Sequence, residues 1–164
     1  MDKSFFYCIF CETSHELEAE TLLNKLGYTV ISVFVERKIY KKGKIVKELR
    51  PIIPGYVFIE TEKEPDWKEI CKLKYVYKPL RYSGNVKKLR NNDFEFVKWL
   101  KGHNGRIKTS KAVEIGTKIK ILEGPLKKLE GKIVKINKGQ KCAGVKIDGE
   151  GIKNIIWLSY ELFE

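Results

Sequence analysis

The chain contains few of the residues and motifs on which enzyme active sites are built. Its 164 residues include two histidines, His15 and His103, which fall in the first turn of a predicted helix and in a predicted linker. The sequence has no G-x-S-x-G elbow, no Walker-type phosphate loop and no spaced set of metal ligands. Cys8 or Cys11 could be a nucleophile in principle, but a thiol buried in a strand without a nearby base is inert. We therefore expect a protein with no enzymatic activity and no cofactor.

Cysteine is scarce and scattered, and the four residues (Cys8, Cys11, Cys71 and Cys142) suit a reducing cytoplasm. Cys8 and Cys11 have the spacing of a zinc knuckle, but no second close pair exists to complete four ligands. They also lie in a predicted strand, where an offset of three directs side chains to opposite faces. We expect buried core cysteines and no metal site.

Long hydrophobic runs are missing as well. The most apolar stretch, "SFFYCIFC" at residues 4–11, is too short to span a membrane and has no basic flank before it, as a secretory signal would. We expect a cytoplasmic monomer with no membrane partner.

Acidic residues are outnumbered, with 21 Asp and Glu against 33 Lys and Arg, for a net charge of +12. Such a balance favours polyanionic partners, because each phosphate contact releases condensed counterions. A soluble protein with a lysine-rich solvated face would have the same composition, and composition alone leaves both readings open. The hydrophobic fraction of 43% and the 12% of aromatic residues are sufficient for a packed core.

Residue patterns in the first hundred positions predict the order β-α-β-β-α-β-α. The first predicted elements are a fully buried strand at 5–10, a helix with a Thr13–Glu16 capping box that ends at Gly27, a strand at 28–35, and a hairpin or an extended loop at 38–47 that turns at Gly43. They are followed by a strand in "PGYVFIE", a short helix in "EPDWKEICKLK", an edge strand in "YVYKPLRY" and a helix at 92–100 capped by Asn92 with Glu95. This order indicates an α+β domain with a mainly antiparallel sheet and helices on one side.

The chain changes character after residue 102. Residues 103–111 have no periodicity and predict a flexible linker. The runs "KIKIL", "GKIVKI", "AGVKI" and "IIWLSY" then alternate between glycine-bearing turns, which favours a small closed β-barrel. The predicted division is therefore a first domain at 1–102, a linker at 103–111 and a barrel at 112–164.

The barrel carries "GTKIKILEGPLKKLEGKIVKI", in which Gly124-Pro125 predicts a tight turn and Gly131 a close bend. With Gly116 and the apolar positions between, these residues resemble a KOW motif, the short β-barrel module of ribosomal proteins and transcription elongation factors. "FYCIFCE" before a helix, "IPGYVFIE" some forty residues later and then the KOW motif together resemble the NusG family from end to end. The resemblance implies an amino-terminal domain that binds bacterial RNA polymerase, a flexible linker and a KOW barrel.

Departures from the family pattern are informative. Housekeeping members usually have Phe where this chain has Ile53, Trp-Tyr where it has Phe6-Tyr7, and Phe after Gly-Pro, where it has Leu126. In those members the Phe helps to dock a ribosomal protein or the termination factor Rho. The chain is therefore more similar to specialised antitermination paralogues, RfaH or, more closely, LoaP. Its plainly β-patterned second domain predicts no fold switching of the kind that RfaH undergoes.

The resemblance also implies a polymerase contact, an apolar depression that receives the clamp helices of the largest catalytic subunit. Carried over by position, the candidates are Phe10, Ile53, Pro54, Gly55, Tyr56 and Phe58. Phe10 and Phe58 could equally be core residues. Tyr56 is the stronger candidate, because tyrosine combines an apolar body with a polar tip and commonly anchors interfaces.

Nucleic-acid contacts are predicted from clustered basic residues. The KOW candidates for RNA binding are Lys127, Lys128, Lys132, Lys135, Lys138 and Lys141, for which a solvated lysine face is the competing interpretation. In the first domain Lys68, Lys72, Lys74 and Arg81 are candidates for the displaced, non-template DNA strand, as the corresponding surface is in the family. Two other functions stay open: a housekeeping elongation factor that couples polymerase to Rho or the ribosome, and a ribosomal or free RNA-binding KOW protein.

Overall fold

The computed structural model describes residues 4–32 and 34–163, which form two compact units. Among the described residues, unit 1 comprises 4–32, 53–105 and 149–152, and unit 2 comprises 34–52, 106–148 and 153–163. Neither unit is a continuous piece of chain. None of the helices in the described part of the chain is long and apolar enough to cross a membrane.

The elements follow one another as β1 (Phe5–Cys11), α1 (Glu16–Lys25), β2 (Thr29–Ile31), β3 (Phe34–Lys41), β4 (Lys44–Pro51), β5 (Tyr56–Thr61), α2 (Trp67–Ile70), β6 (Val76–Pro79), β7 (Arg81–Tyr82), β8 (Asn85–Val86), α3 (Asn91–Lys101), β9 (Arg106–Ile107), β10 (Ser110–Ile115), β11 (Lys118–Glu123), a 3₁₀ helix (Lys127–Lys132), β12 (Ile133–Asn137), β13 (Cys142–Asp148) and β14 (Lys153–Leu162).

Unit 1 is organised around a four-stranded sheet in the order β2-β5-β1-β6, with every pairing antiparallel. The prediction of a mainly antiparallel α+β domain is confirmed for this unit. The strand with Pro79, β6, lies at the sheet edge as predicted, where a residue without an N–H is tolerated.

Helices cover both faces of this sheet, so the prediction of helices on one side was wrong. Ala19 and Leu23 of α1 pack in one cluster with Ile9 of β1. On the opposite face, Phe94 of α3 lies 5.3 Å from Phe6, measured between ring centroids. The reason is the continuous apolar character of β1, because a strand that is apolar on both faces needs cover on both.

Unit 2 contains a five-stranded sheet in the order β11-β10-β14-β13-β12 and a three-stranded sheet in the order β4-β3-β9. The predicted hairpin is confirmed as β3–β4, which turns at Lys42 and Gly43 with φ angles of 49° and 76°. Two consecutive positive φ values are typical of a type I′ turn, whose twist matches that of the flanking strands.

The grouping of segments differs from the linear division predicted from the sequence. Residues 34–52 group with unit 2, and the predicted linker contains β9 and the first residues of β10. Ile107 is the one large apolar residue of that linker and it is fully buried, which accounts for the ordered backbone around it. Independent folding of 1–102 and 112–164 around a flexible 103–111 stays a prediction.

Candidate functional site

A tight turn leads into β5 in unit 1. The amide of Tyr56 donates a hydrogen bond to the carbonyl of Ile53 at 3.3 Å, and Gly55 has a φ of 80°. With Pro54 at the second position and glycine at the third, these four residues have the signature of a type II turn. A Cβ at Gly55 would lie 3.2 Å from the Cys11 carbonyl oxygen, and the Gly55 carbonyl accepts a 2.9 Å bond from the Cys11 amide. The turn is thereby held against the end of β1.

The turn places an aromatic pair at one end of the sheet. Tyr56 is the register partner of Phe10 on β1, and their rings meet edge to face with centroids 5.0 Å apart and planes at 87°. Both side chains are half-buried. Edge-to-face packing of this kind fixes ring orientation and leaves part of each ring open to a partner.

The other predicted polymerase-contact residues have different environments. Pro54 is exposed at the turn and Gly55 is buried beneath it. Ile53 and Phe58 are 2% and 3% exposed, and Phe58 packs edge to face on Phe96 of α3 with centroids 6.3 Å apart. In this structure Ile53 and Phe58 are core residues that support the Phe10–Tyr56 pair.

The lysines predicted to bind RNA are all exposed in unit 2. Lys127 pairs with Glu130 at 3.1 Å, and Lys138 pairs with Glu114 at 3.3 Å. The remaining four, Lys128, Lys132, Lys135 and Lys141, make no ion pair with any residue in the described part of the chain. The 3₁₀ helix and β12 therefore present positive charge that the described residues do not neutralise.

The turn before these lysines is closely packed. Gly124 has a φ of 106°, and a Cβ there would lie 2.7 Å from the Cα of Ser110. The Ser110 hydroxyl accepts a 2.9 Å hydrogen bond from the amide of Leu126, whose side chain is fully buried. Gly131, by contrast, lies near the end of the 3₁₀ helix, just before β12, with nothing near its Cβ position, so packing does not require glycine there. Gly124 is the position where this turn requires glycine.

The residues predicted to contact DNA are exposed in unit 1. Lys68 is on α2 and Lys72 follows it by one turn, while the Lys74 ammonium lies 5.0 Å from the centroid of the Tyr75 ring. The guanidinium of Arg81 donates to the Gly84 carbonyl at 3.2 Å. Their role stays a prediction.

One buried polar cluster was missed by sequence reasoning. Asp93 on α3 is fully buried and accepts hydrogen bonds from the Tyr82 hydroxyl at 2.6 Å and from the amides of Gly151 and Ile152 at 2.8 and 2.9 Å. Burial, and then the bond to Asp93, raise the pKa of Tyr82 far above its ordinary value. The two glycines of "DGEG" at 148–151 are the feature of the sequence from which this cluster could have been inferred. A Cβ at Gly149 would overlap the Asp93 carboxylate.

Charge pairing reinforces the same cluster. The Arg90 guanidinium makes a two-pronged contact with the Glu150 carboxylate at 2.8 and 2.7 Å, and it lies 4.3 Å from the centroid of the Tyr82 ring. A planar, two-bond arrangement of this type gives directional attachment. The cluster is a structural anchor for the segment at 149–152 within unit 1.

The two thiols of β1, those of Cys8 and Cys11, are poorly suited to act as nucleophiles or metal ligands. Burial raises the pKa of Cys11 to about 11, with the nearby charges of Glu16 and Glu20 adding to the effect. Burial likewise raises the pKa of Cys8 well above its usual value. A thiol that stays protonated is a weak nucleophile and a weak metal ligand. Within the described residues, no group of three or more His, Cys, Asp and Glu side chains could hold a metal ion.

Known families and solved structures include proteins that are similar to this chain. The family model of the transcription termination factor NusG matches residues 4–98. The structure reporting domain interaction in Thermotoga maritima NusG aligns over 95% of this chain and 93% of that chain, with a TM-score of 0.51 and 18% identity. A chain of the MjSpt4:Spt5 complex aligns over 95% of this chain and 99% of that chain, at a TM-score of 0.34 and 13% identity. No curated protein matches in sequence.

The fold and its exposed surfaces define an α+β protein with a half-buried aromatic pair on one unit and free positive charge on the other. The matched family model spans more than half of the residues. The chain therefore belongs to the NusG family of transcription factors.

Proposed function

We propose that this protein is a transcription antitermination factor that binds RNA polymerase at the clamp and promotes processive elongation. NusG-family proteins interact with RNA polymerase, and the observation that carries the proposal is the Phe10–Tyr56 pair. The pair combines apolar area with a polar tip, and the type II turn and the sheet hold it in place. Rigid, partly exposed aromatics are the residues that most often dominate protein interfaces.

A pull-down of core RNA polymerase tests this contact. Tyr56→Ala should weaken retention of polymerase about thirtyfold, because an interface anchor is worth about 2 kcal/mol. Tyr77→Ala is the matched control, since Tyr77 is a 61% exposed tyrosine on β6 of the same sheet. Equal retention of the two variants would exclude the Phe10–Tyr56 pair as the docking point.

The second part of the proposal is that the KOW-like unit binds RNA, through Lys128, Lys132, Lys135 and Lys141 together with the paired Lys127 and Lys138. The exposure of all six lysines, and the lack of neutralising partners of the first four among the described residues, support an electrostatic contact with phosphates. In the same way, unit 1 would bind the phosphates of the non-template DNA strand through the candidates Lys68, Lys72, Lys74 and Arg81.

Salt dependence measures the phosphate contacts directly. Changing Lys128, Lys132 and Lys135 together to Gln should lower the slope of log affinity for a structured RNA against log salt by about two to three, close to one for each phosphate that is no longer neutralised. The same change at Lys118, Lys120 and Lys153, exposed lysines of the same unit, should alter the slope less. A flat salt response of the unchanged protein would refute RNA binding by these lysines.

A housekeeping role that couples polymerase to Rho or to a ribosomal protein is the alternative. Antitermination is favoured by Leu126, which stands where housekeeping members have the docking Phe and which is fully buried here. Transcription by purified polymerase across a terminator separates the two functions. An antiterminator of the LoaP or RfaH type increases read-through, whereas a Rho-coupling factor increases termination when Rho is added.

A further inference from the structure

Unit 2 contains a groove of about 650 Å³ between the β3–β4 hairpin and the last strand, β14. We refer to it as the hairpin groove, and the lining residues that matter here are Arg37, Arg50, Gln140, Lys141, Leu162 and Phe163. Its size falls within the range of about 300–1,000 Å³ that is typical of sites enclosing small ligands. A segment the size of a nucleotide therefore fits the groove.

The hairpin groove is strongly positive. Its described lining contains four cations (Arg37, Lys38, Arg50 and Lys141) and one carboxylate, Glu161, for a net charge of +3. Glu161 pairs with Lys38, and Arg50 pairs with Glu48 in an exposed contact of 3.2 Å. Exposed pairs of this kind contribute little and exchange readily for a stronger anion. Phosphate groups are the anions that such an arrangement of arginine and lysine suits.

The groove also offers an apolar surface next to the charges. Phe163 is 44% exposed, and its backbone amide donates to the Ala112 carbonyl at 2.8 Å, which anchors the chain end that carries it. The Lys111 ammonium lies 5.3 Å from the centroid of the Phe163 ring. A partly exposed aromatic ring beside a cation can stack an unpaired base and hold the backbone next to it.

We infer that the hairpin groove binds a segment of single-stranded RNA, with one base stacked on Phe163 and the adjoining phosphates at Arg50 and Lys141. Gln140 supplies amide groups at the groove wall, where they can hydrogen-bond a base edge. The inference rests on the RNA binding proposed above and adds a contact outside the 3₁₀ helix, with Lys141 common to both. An acidic peptide would match the charge but gains nothing from stacking, so RNA is the favoured occupant.

The test uses the full chain and a mixed-sequence single-stranded RNA that carries 4-thiouridine. Phe163→Ala should weaken binding, followed by fluorescence anisotropy, about tenfold because stacking is removed. Leu122→Ala is the matched control, because Leu122 is also 44% exposed in unit 2 and does not line the groove, and it should bind as the unchanged protein does. Lys141→Gln should reduce the salt dependence, whereas Lys118→Gln should leave it unchanged.

Photocrosslinking locates the RNA independently of any variant. Crosslinks to the peptide containing Tyr160 and Phe163 are expected. Crosslinks confined to residues 127–135, together with equal binding by Phe163→Ala and Leu122→Ala, would overturn RNA binding in the hairpin groove. They would leave the RNA binding proposed above intact. Absence of RNA binding by the unchanged protein would overturn both. Displacement of the RNA by polyglutamate at equal charge concentration would show a site for acidic chains and would also overturn the inference.

Discussion

Glu20 on α1 has a carboxylate that is largely closed off from water, although it lies in an ordinary helix. The side chain is 9% exposed and accepts a 2.7 Å hydrogen bond from the Ser32 hydroxyl. Burial raises the pKa of Glu20, the bond from Ser32 opposes that rise, and the charge of Glu16 adds to it. The net direction is upward, so the folded protein holds this proton more tightly than the unfolded chain does.

The raised pKa of Glu20 determines how its contribution to stability changes with pH. The favourable contribution of Glu20 is fully present below its ordinary pKa of about 4.5 and is lost as pH rises through the higher pKa of the folded state. Glu20→Gln keeps an acceptor for Ser32 and has no proton to lose. We expect the variant to gain thermal stability over the unchanged protein as pH rises above about 4.5, measured by circular dichroism. Glu62→Gln, at an exposed position, is the control, and an advantage that shrinks with rising pH would contradict this account.

The sequence predicted individual site residues unevenly. The turn at Pro54-Gly55 and the partly exposed Tyr56 followed from residue type alone, because proline, glycine and tyrosine have distinct conformational and surface preferences. The sequence left the burial of Phe58 open and did not predict that of Ile53, since the burial of Phe58 depends on its packing against Phe96 of α3. Side-chain exposure in a strand is decided by tertiary packing.

At the scale of elements, α3 is attached to unit 1 by polar as well as apolar contacts. Its Phe96 packs on the sheet, while the Asp93 carboxylate accepts hydrogen bonds from the Tyr82 hydroxyl and from the amides of Gly151 and Ile152. Asp93→Ala would leave these donors buried without an acceptor. We expect a decrease of about 2–4 kcal/mol in the free energy of unfolding, measured with urea.

Hydrogen exchange distinguishes this anchor from a general helix effect. In Asp93→Ala the amides of Gly151 and Ile152 should exchange much faster than in the unchanged protein. Glu95→Ala, an exposed substitution two residues away on the same helix, should change stability by about 0.5 kcal/mol or less. Equal destabilisation of the two variants would contradict an anchoring role for Asp93, because replacement by alanine does not weaken helix propensity.

Most strands and all three helices could be predicted from residue patterns, but helix starts could not. The Thr13–Glu16 capping box does not form; α1 begins after His15, and the Glu16 carboxylate instead accepts from the amide of Ser14. The cap of α3 is Arg90 and not Asn92. Both starts are determined by loops whose long-range contacts, such as that of Arg90 with Glu150, have no local signature.

At the scale of the whole molecule, the β3–β4 hairpin belongs to unit 2 although it precedes the rest of that unit by more than fifty residues. Phe34 and Val35 pair in parallel with β9, and the Ser159 hydroxyl donates to the Glu36 carbonyl at 2.8 Å. The sequence could not predict this grouping, because the residue pattern of a hairpin does not specify which strand it will pack against. Local patterns carry no information about such distant pairings.

Because the hairpin groups with unit 2, we predict that a fragment of residues 103–164 alone is less stable than the unit with its hairpin. Without the hairpin, the fragment exposes Ile107, which pairs with Val35, and loses the contact of Ser159 on β14 with Glu36. Its Tm should therefore be about 5–10 °C below that of the same fragment with residues 34–52 joined to it by a flexible linker. Calorimetry on both fragments measures the difference. Equal Tm values would support the linear division into a self-sufficient barrel and a separate first domain.

The interleaved order of the segments also bears on how the protein folds as it leaves the ribosome. Glu36 and its partner Ser159 are 123 positions apart, and Asp93 precedes Ile152 by 59 positions. The hairpin is therefore synthesised long before the strand it packs against, and the two units cannot complete these polar contacts until Ile152 and Ser159 have been synthesised. Unpaired hairpin edges and the side chain of Val35, which is 2% exposed in the folded protein, are open to solvent during that interval, and such surfaces promote aggregation until they are covered.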